Sequence, residues 1–276
     1  HSSGFRGIKW TVPHDVSTTY YYCTSHTGMG NNGRLNSTTD VTKADPFAWK
    51  CFLALPLNDD PSKDQSSTLN RTSSGKAITV SGCVASSDQS NFYGRSTFFD
   101  GSNDQLSVEA HGQMDFGADD DWTFELWFYT TTVGSSWAIS DYSGNNSATG
   151  SPGGQIYFSS SSGAGLHWYQ NSTRLAEIPK EQIQANKWHH VAFVKDGTAN
   201  TITSFLDGVV KTASSFNGSS GSTSNGLIIG QQGGGTRFSG YMSDFRVYKG
   251  IKKYTNNFIP ASTNPDILPD TPSGIT

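Results

Sequence analysis

Charge is scarce in this chain. Asp, Glu, Lys and Arg together make up 15% of its 276 residues, and the net charge of −4 is spread without a basic block. Nucleic acid and anionic membrane surfaces both demand clustered Lys and Arg, so neither is an expected partner. Long apolar runs are missing too. No stretch approaches the ~20 apolar residues of a membrane span, so no membrane insertion is expected. Cysteine is sparse and odd in number: Cys23, Cys51 and Cys83. That is a poor disulfide framework, and Cys51 and Cys83, both in apolar strand-like runs, either pair or stay as buried thiols. Strong helix formers give way to Ser, Thr, Gly and Asn, which favour turns and strands. Catalytic signatures are also lacking. There is no Gly-x-Ser-x-Gly elbow, Gly233 to Gly235 follow no phosphate-binding pattern, and the densest strand offers one acid, Glu125, where glycoside hydrolysis needs two. The chain is not expected to be an enzyme.

What is present is a strongly patterned centre. From Trp122 to Tyr129 the sequence alternates: Trp122, Phe124, Leu126 and Phe128 point one way, and Thr123, Glu125, Trp127 and Tyr129 the other. Period two with two unlike faces means a strand, one face buried and the other partly covered. Around it lie further strand-like runs at Trp49–Leu55, Ala77–Val80, Cys83–Ala85, Ser96–Asp100, Gln105–Val108, Gln155–Phe158, Leu166–Tyr169, Trp188–Val194, Gly226–Gly230 and Phe238–Tyr248. Asp207-Gly208 between two apolar runs is a type I′ hairpin signal, since both turn residues need positive φ. Residues 59–67 and the Gly/Ser-rich 140–154 read as loops. Lys180–Gln184 is the one plausible helical turn. His189 and His190 are consecutive on a strand, face opposite ways and cannot chelate one ion. About a dozen short strands with almost no helix predict an all-β, two-sheet antiparallel sandwich over residues 47–262, with a short β-hairpin extension at residues 1–35, a linker at 36–46 and a Pro-rich tail at 263–276. The chain opens at His1 in mid-pattern and reads as a piece of a longer polypeptide.

The extension carries Cys23-Thr-Ser-His26-Thr-Gly-Met29 after an aromatic strand. Thiolate, imidazole and thioether on one loop are a soft ligand set suited to copper. The spacing resembles the ligand loop of cupredoxins of the amicyanin type. A copper site would need a second His, and only His1 and His14 are upstream, each awkwardly placed. The expectation is a metal-free cupredoxin-like remnant, with copper not bound.

The order of the remaining pieces resembles a laminin G-like domain of the concanavalin A-like lectin/glucanase superfamily. Phe99-Asp-Gly, Leu106-Ser-Val and Trp122-Thr-Phe-Glu-Leu-Trp-Phe are similar to its first half. Trp188-His-His-Val-Ala, Phe205-Leu-Asp-Gly, Leu227-Ile-Ile-Gly and Phe238 through Tyr248 are similar to its second. Val247 through Pro260 resembles the closing segment of such domains in virion proteins of marine bacteriophages. The resemblance implies a jelly roll. It also implies an adhesion module on a phage tail or capsid fibre, at the virion surface or outside the cell, that recognises a host-surface glycan or glycoprotein. Other fibre subunits, in a homotrimer, are the implied assembly partners; a purely structural fibre module and a carbohydrate-active enzyme or its binding module are the rival readings. It further implies calcium at the sandwich rim, for which Asp100, Asn103, Asp104 and Asp244 are the candidate ligands, hard oxygens being what calcium takes; turn hydrogen bonds are the competing role. A sugar site needs aromatic faces, and Trp137, Tyr142, Trp168 and Tyr169 are the candidates, the first two because they border the 140–154 loop.

Overall fold

A computed structural model describes residues 18–20, 34–36, 45, 47–59, 62–69, 74–91, 93–142, 153–221, 226–233 and 235–260. Its strands are β1 (Thr18–Tyr20), β2 (Arg34–Asn36), β3 (Cys51–Leu55), β4 (Ile78–Ser81), β5 (Val84–Ser86), β6 (Ser96–Asp100), β7 (Gln105–Val108), β8 (Asp115–Phe116), β9 (Trp122–Thr130), β10 (Trp137–Asp141), β11 (Gln155–Phe158), β12 (Gly165–Gln170), β13 (Thr173–Pro179), β14 (Trp188–Asp196), β15 (Thr201–Leu206), β16 (Val209–Ser215), β17 (Ser220–Gly221), β18 (Leu227–Ile229) and β19 (Ser239–Lys249). An eight-stranded sheet runs β16-β15-β14-β9-β19-β6-β5, with β3 also pairing β19. A seven-stranded sheet runs β13-β12-β11-β10-β18-β7-β4. All sandwich pairings are antiparallel, and β9 sits mid-sheet between β14 and β19. β1 pairs with β2, and β8 with β17, apart from the two sheets. This is the two-sheet sandwich that period-two alternation predicts.

The inward faces of both sheets meet in one apolar core. Phe124, Leu126, Phe128, Val191 and Phe193 from one sheet pack with Ile139, Ile156, Phe158, Leu166 and Trp168 from the other. The rings of Trp122 and Trp168 lie 4.7 Å apart, and Trp137 stacks on Phe158 at 4.5 Å and 8°. The Asp207-Gly208 turn has φ of 51° and 77°, as a type I′ turn requires.

Several local expectations differ. Trp49 is not in a strand: it is 61% exposed in a 3-10 turn at Ala48–Lys50. There Asp45 Oδ1 accepts from the Phe47 N–H (2.9 Å) and Asp45 O from the Ala48 N–H (3.2 Å), so a side chain-closed turn delays the strand to Cys51. Ser66–Leu69 is a short helix rather than loop, begun by Asp64 Oδ1 accepting from the Ser66 N–H (2.9 Å). The expected loop at 140–154 starts later, because Trp137–Asp141 is a fully buried strand. Thr173–Pro179 is an additional edge strand, hidden from pattern reading by Arg174, Glu177 and a positive φ of 50° at Ala176. Cys51 and Cys83 are both thiols, not a disulfide. Burial pushes the Cys51 thiol far up from its ordinary range, so it stays protonated, donating to Leu53 O.

The second face of β9 also departs from expectation. Thr123 and Glu125 are buried, not half-covered. After β19 the chain turns back over this outer face, and Tyr254 and Phe258 pack on Ala192, Val194 and Phe205. The Phe258 N–H donates to Gly208 O (2.8 Å).

Candidate functional site

The outer face of the seven-stranded sheet is open. On β11, Ile156 and Phe158 enter the core, so Tyr157 points out; on β12, Leu166 and Trp168 enter, so His167 and Tyr169 point out. Tyr157 pairs with His167, and ring centroids of Tyr157, His167 and Tyr169 lie 5.7–6.0 Å from one another. Arg174, cross-strand from Tyr169, is exposed beside them. These residues line a cavity of about 740 Å³ closed by Gln232 and Thr236 on one side and by Ser159, Ser172 and Thr173 on others. Thr236 is shared with a second cavity of about 480 Å³ toward the rim, lined by Asp100, Thr132, Ser136, Arg237 and Ser239 among others.

The lining combines tyrosine rings and hydroxyls with one cation, Arg174. Burial, and to a lesser degree the nearby Arg174 charge, pushes His167 down to about 4, against the Gly165 hydrogen bond. Its Nδ1–H donates to Gly165 O (2.9 Å), so Nε2 is a bare acceptor, with no hydrogen-bond partner among the described residues. The larger cavity thus offers the half-buried rings of Tyr157 and Tyr169, hydroxyls and a guanidinium, with the His167 imidazole buried behind them, and its lining carries no carboxylate. The acid pair that glycoside hydrolysis uses is not among the residues lining this cavity.

Of the four aromatic candidates, Tyr169 alone stands on this face. Trp137, Tyr142 and Trp168 are at most 2% exposed and belong to the core. Their polar tips are satisfied inside: Trp137 Nε1–H donates to Thr132 O (3.0 Å), Tyr142 O–H to Met114 O (3.1 Å) and Trp168 Nε1–H to Gln170 Oε1 (3.0 Å). Such rings cannot stack on a sugar. Trp168 and Tyr169 are consecutive on a strand, so they could never have shared a face. The same alternation turns Tyr157 and His167 to this face, where Tyr157 is half-buried and His167 is covered completely.

The calcium candidates do not converge. Asp104 Oδ2 accepts from the Asp100 N–H (2.7 Å) and Asp100 Oδ1 from the Ser102 N–H (2.7 Å), which are turn hydrogen bonds. Burial raises Asp104, favouring its neutral form. Asn103 is exposed on the same turn. Asp244 is elsewhere: Asp100 pairs with Ser239, and five further residues of β19 put Asp244 roughly 16 Å along the strand. It is held there by Arg246 Nε–H (2.8 Å). Among the described residues no group of three or more His, Cys, Asp or Glu could hold a metal ion. Cys23, His26 and Met29 lie outside the described residues.

Two further groups are buried. His189 Nδ1–H donates to Asp207 Oδ2 (2.9 Å), and its Nε2 accepts from the Gln184 N–H (3.0 Å). His190 faces the other way, with Nε2 3.7 Å from Glu125 Oε2. The opposite orientation of the pair matches the expectation from strand period.

Two antiparallel sheets around one core, with one outer face open, define a jelly-roll sandwich. Residues 99–252 match the laminin G model described as the concanavalin A-like lectin/glucanases superfamily, and the chain belongs to that superfamily. No curated protein matches the chain. Among solved structures, domain 4 of AbnA, a GH43 extracellular arabinanase from Geobacillus stearothermophilus in complex with arabinotriose, is similar with a TM-score of 0.52 and 14% identity over 75% of this chain and 94% of that one. The botulinum neurotoxin serotype D binding domain is similar with a TM-score of 0.54 and 12% identity, over 76% of this chain and 50% of that one. The binding domain of botulinum neurotoxin DC in complex with SialylT gives 0.50 and 13%, over 73% and 48%. The chain spans about half the length of these toxin domains. At such identities the likeness is one of fold.

Proposed function

We propose that this chain is a non-enzymatic carbohydrate-binding module, residues 47–262, that grips a glycan on the outer face of its seven-stranded sheet. The observation that carries the reading is the juxtaposition of Tyr157, His167, Tyr169 and Arg174 around one open cavity. The rings of Tyr157 and Tyr169 suit the apolar faces of sugars, while Arg174 and the Ser/Thr hydroxyls bind their hydroxyl groups and buried His167 supports the two tyrosines from below. Two of the similar structures are described in complex with arabinotriose and SialylT, which supports this use of the fold. The phage-like closing segment, Val247 through Pro260, supports the setting: an adhesion module of a virion fibre, extracellular, reading a host-surface glycan or glycoprotein beside other fibre subunits in a homotrimer. Residues 1–35, the 36–46 linker and the 263–276 tail would connect it to its neighbours. That Asp104 Oδ2 and Asp100 Oδ1 each accept a backbone N–H supports a grip that works without calcium.

The test is a glycan array, with calcium and with chelator, on the full chain and on Tyr169→Ala and Arg174→Ala. Chelator-resistant binding that both substitutions weaken is expected. A folded chain that binds no glycan would favour a purely structural fibre module. Chelator-sensitive binding would return attention to Asp100 and Asp104.

A further inference from the structure

The outer face of the eight-stranded sheet holds a cluster that glycan binding does not use. Lys253, Asp45 and Glu125 are in contact with their side chains 1%, 1% and 6% exposed. Lys253 Nζ donates to Glu125 Oε1 (2.6 Å), to Asp45 Oδ2 (3.3 Å) and to Tyr248 Oη (2.8 Å). Tyr248 O–H donates to Asp45 Oδ2 (2.7 Å), and Arg246 Nη1 is 3.7 Å from the same oxygen. Tyr254 O–H donates to Glu125 Oε2 (2.5 Å). Lys253 also sits over the rings of Tyr248 and Tyr254, at 4.3 and 5.5 Å. An amine in contact with the oxygens of two carboxylates, Asp45 at 3.3 Å and Glu125 at 2.6 Å, with water excluded, is the arrangement of a condensation site.

We propose that Lys253 and Asp45 condense spontaneously to an intramolecular amide, with Glu125 as the proton shuttle. The ion pair favours its charged forms, so Glu125 Oε1 takes one proton from the Lys253 ammonium in an uphill transfer that makes the condensation slow. The freed amine attacks Asp45 Cγ, and the oxygens of the tetrahedral adduct are held by the Tyr248 hydroxyl and the Arg246 guanidinium. A second nitrogen proton moves to the departing oxygen, Glu125 returns the first, and one water leaves. The third proton stays on the amide nitrogen, and Glu125 ends as it began. The ammonium and one carboxylate vanish together, which removes two buried charges whose desolvation is costly. No oxidant or cofactor is consumed.

The position gives the bond a use. Asp45 precedes β3, the first strand of the sandwich, and Lys253 follows β19, the last. An amide there would close nearly the whole sandwich into one loop. Tension applied to the two ends would then pass through a covalent bond and not through the strand ladders. This stands independently of the glycan reading.

The experiment is intact-mass measurement of the full chain after denaturation, followed by proteolysis and tandem mass spectrometry. The expected result is a chain lighter than its sequence by one water, with a branched peptide joining Asp45 to Lys253. Lys253→Arg and Asp45→Ala should show their full sequence masses, and Glu125→Gln should leave most of the chain unjoined. A folded wild-type chain at full sequence mass after long incubation overturns the proposal. So does a water lost as a cyclic imide at an Asp-Gly pair such as Asp100-Gly101 or Asp207-Gly208, or an amide from Lys253 to Glu125. The wild-type digest decides the matter even if the variants fail to fold.

Discussion

The two outer faces of the sandwich begin alike and end differently. Each presents aromatics and ionisable groups from alternate positions of central strands: Glu125, Trp127 and His190 on one, Tyr157, His167 and Tyr169 on the other. The first is sealed by the returning chain at 250–258, and its charges are buried in pairs. The second is left as an open cavity with one exposed guanidinium. The lesson is that strand alternation assigns a residue to a face, but only the later course of the chain decides whether that face binds solvent, a ligand or the protein itself.

Breaking the sealed face should cost the most. Burial alone would raise Glu125, but Lys253, then His190 and Arg246, overcome it and hold the carboxyl far below its ordinary range. Burial alone would lower Lys253, yet Asp45 and Glu125 carry it upward. Compared in the Lys253→Arg background, which cannot form the amide and keeps a cation in the cluster, Glu125→Ala leaves buried charge unmatched, so unfolding in denaturant should show a loss of about 3–5 kcal/mol. A loss under 1 kcal/mol would mean that water reaches this cluster and that the two faces differ less than their burial indicates. Next comes Gly165, at the start of β12. A Cβ there would lie 2.0 Å from Ile178 O, a backbone atom of the neighbouring strand. Gly165→Ala must push β12 from β13, costing about 1–3 kcal/mol and weakening glycan binding, measured on the same sample. Tyr169→Ala should separate the faces most cleanly. Stability should change by no more than about 0.5 kcal/mol, while glycan affinity falls roughly tenfold, or about 1.4 kcal/mol.

How far the sequence spoke can be judged residue by residue. The sandwich was legible because Trp122 through Tyr129 alternates without a fault and Asp207-Gly208 marks its turn. β13 was not, because Arg174 and Glu177 lie on an edge strand that tolerates charge, and edge strands lack the apolar alternation of central ones. The binding face was half legible: alternation sends Tyr157, His167 and Tyr169 outward, but large aromatics draw attention wherever they sit, and Trp137, Tyr142 and Trp168 are large because they fill the core. The Lys253–Glu125–Asp45 cluster was not legible at all. Its members are separated by up to 208 positions and meet only through the fold.

The smallest predicted effect distinguishes the two faces by pH. His167 is pushed down to about 4 in the folded chain, whereas an unfolded histidine titrates near 6.5. Between those values the unfolded chain binds a proton that the folded one refuses, so stability falls as pH falls. The contribution is complete above about 6.5 and drains toward about 4. Glu125, whose folded value is depressed, behaves differently in position: its contribution is intact above about 4.5 and is lost only below that. The interval from pH 6.5 to 4.5 therefore reports on the open face alone of these two. Denaturation midpoints taken at pH 7 and pH 5.5 should give wild type about 1 kcal/mol less stability at the lower pH than His167→Gln loses over the same step. Equal losses would mean that the folded imidazole takes up its proton as freely as an unfolded one. The ring would then lie in water, and the packing of Tyr157 and Tyr169 over it would be looser than their contacts with it indicate.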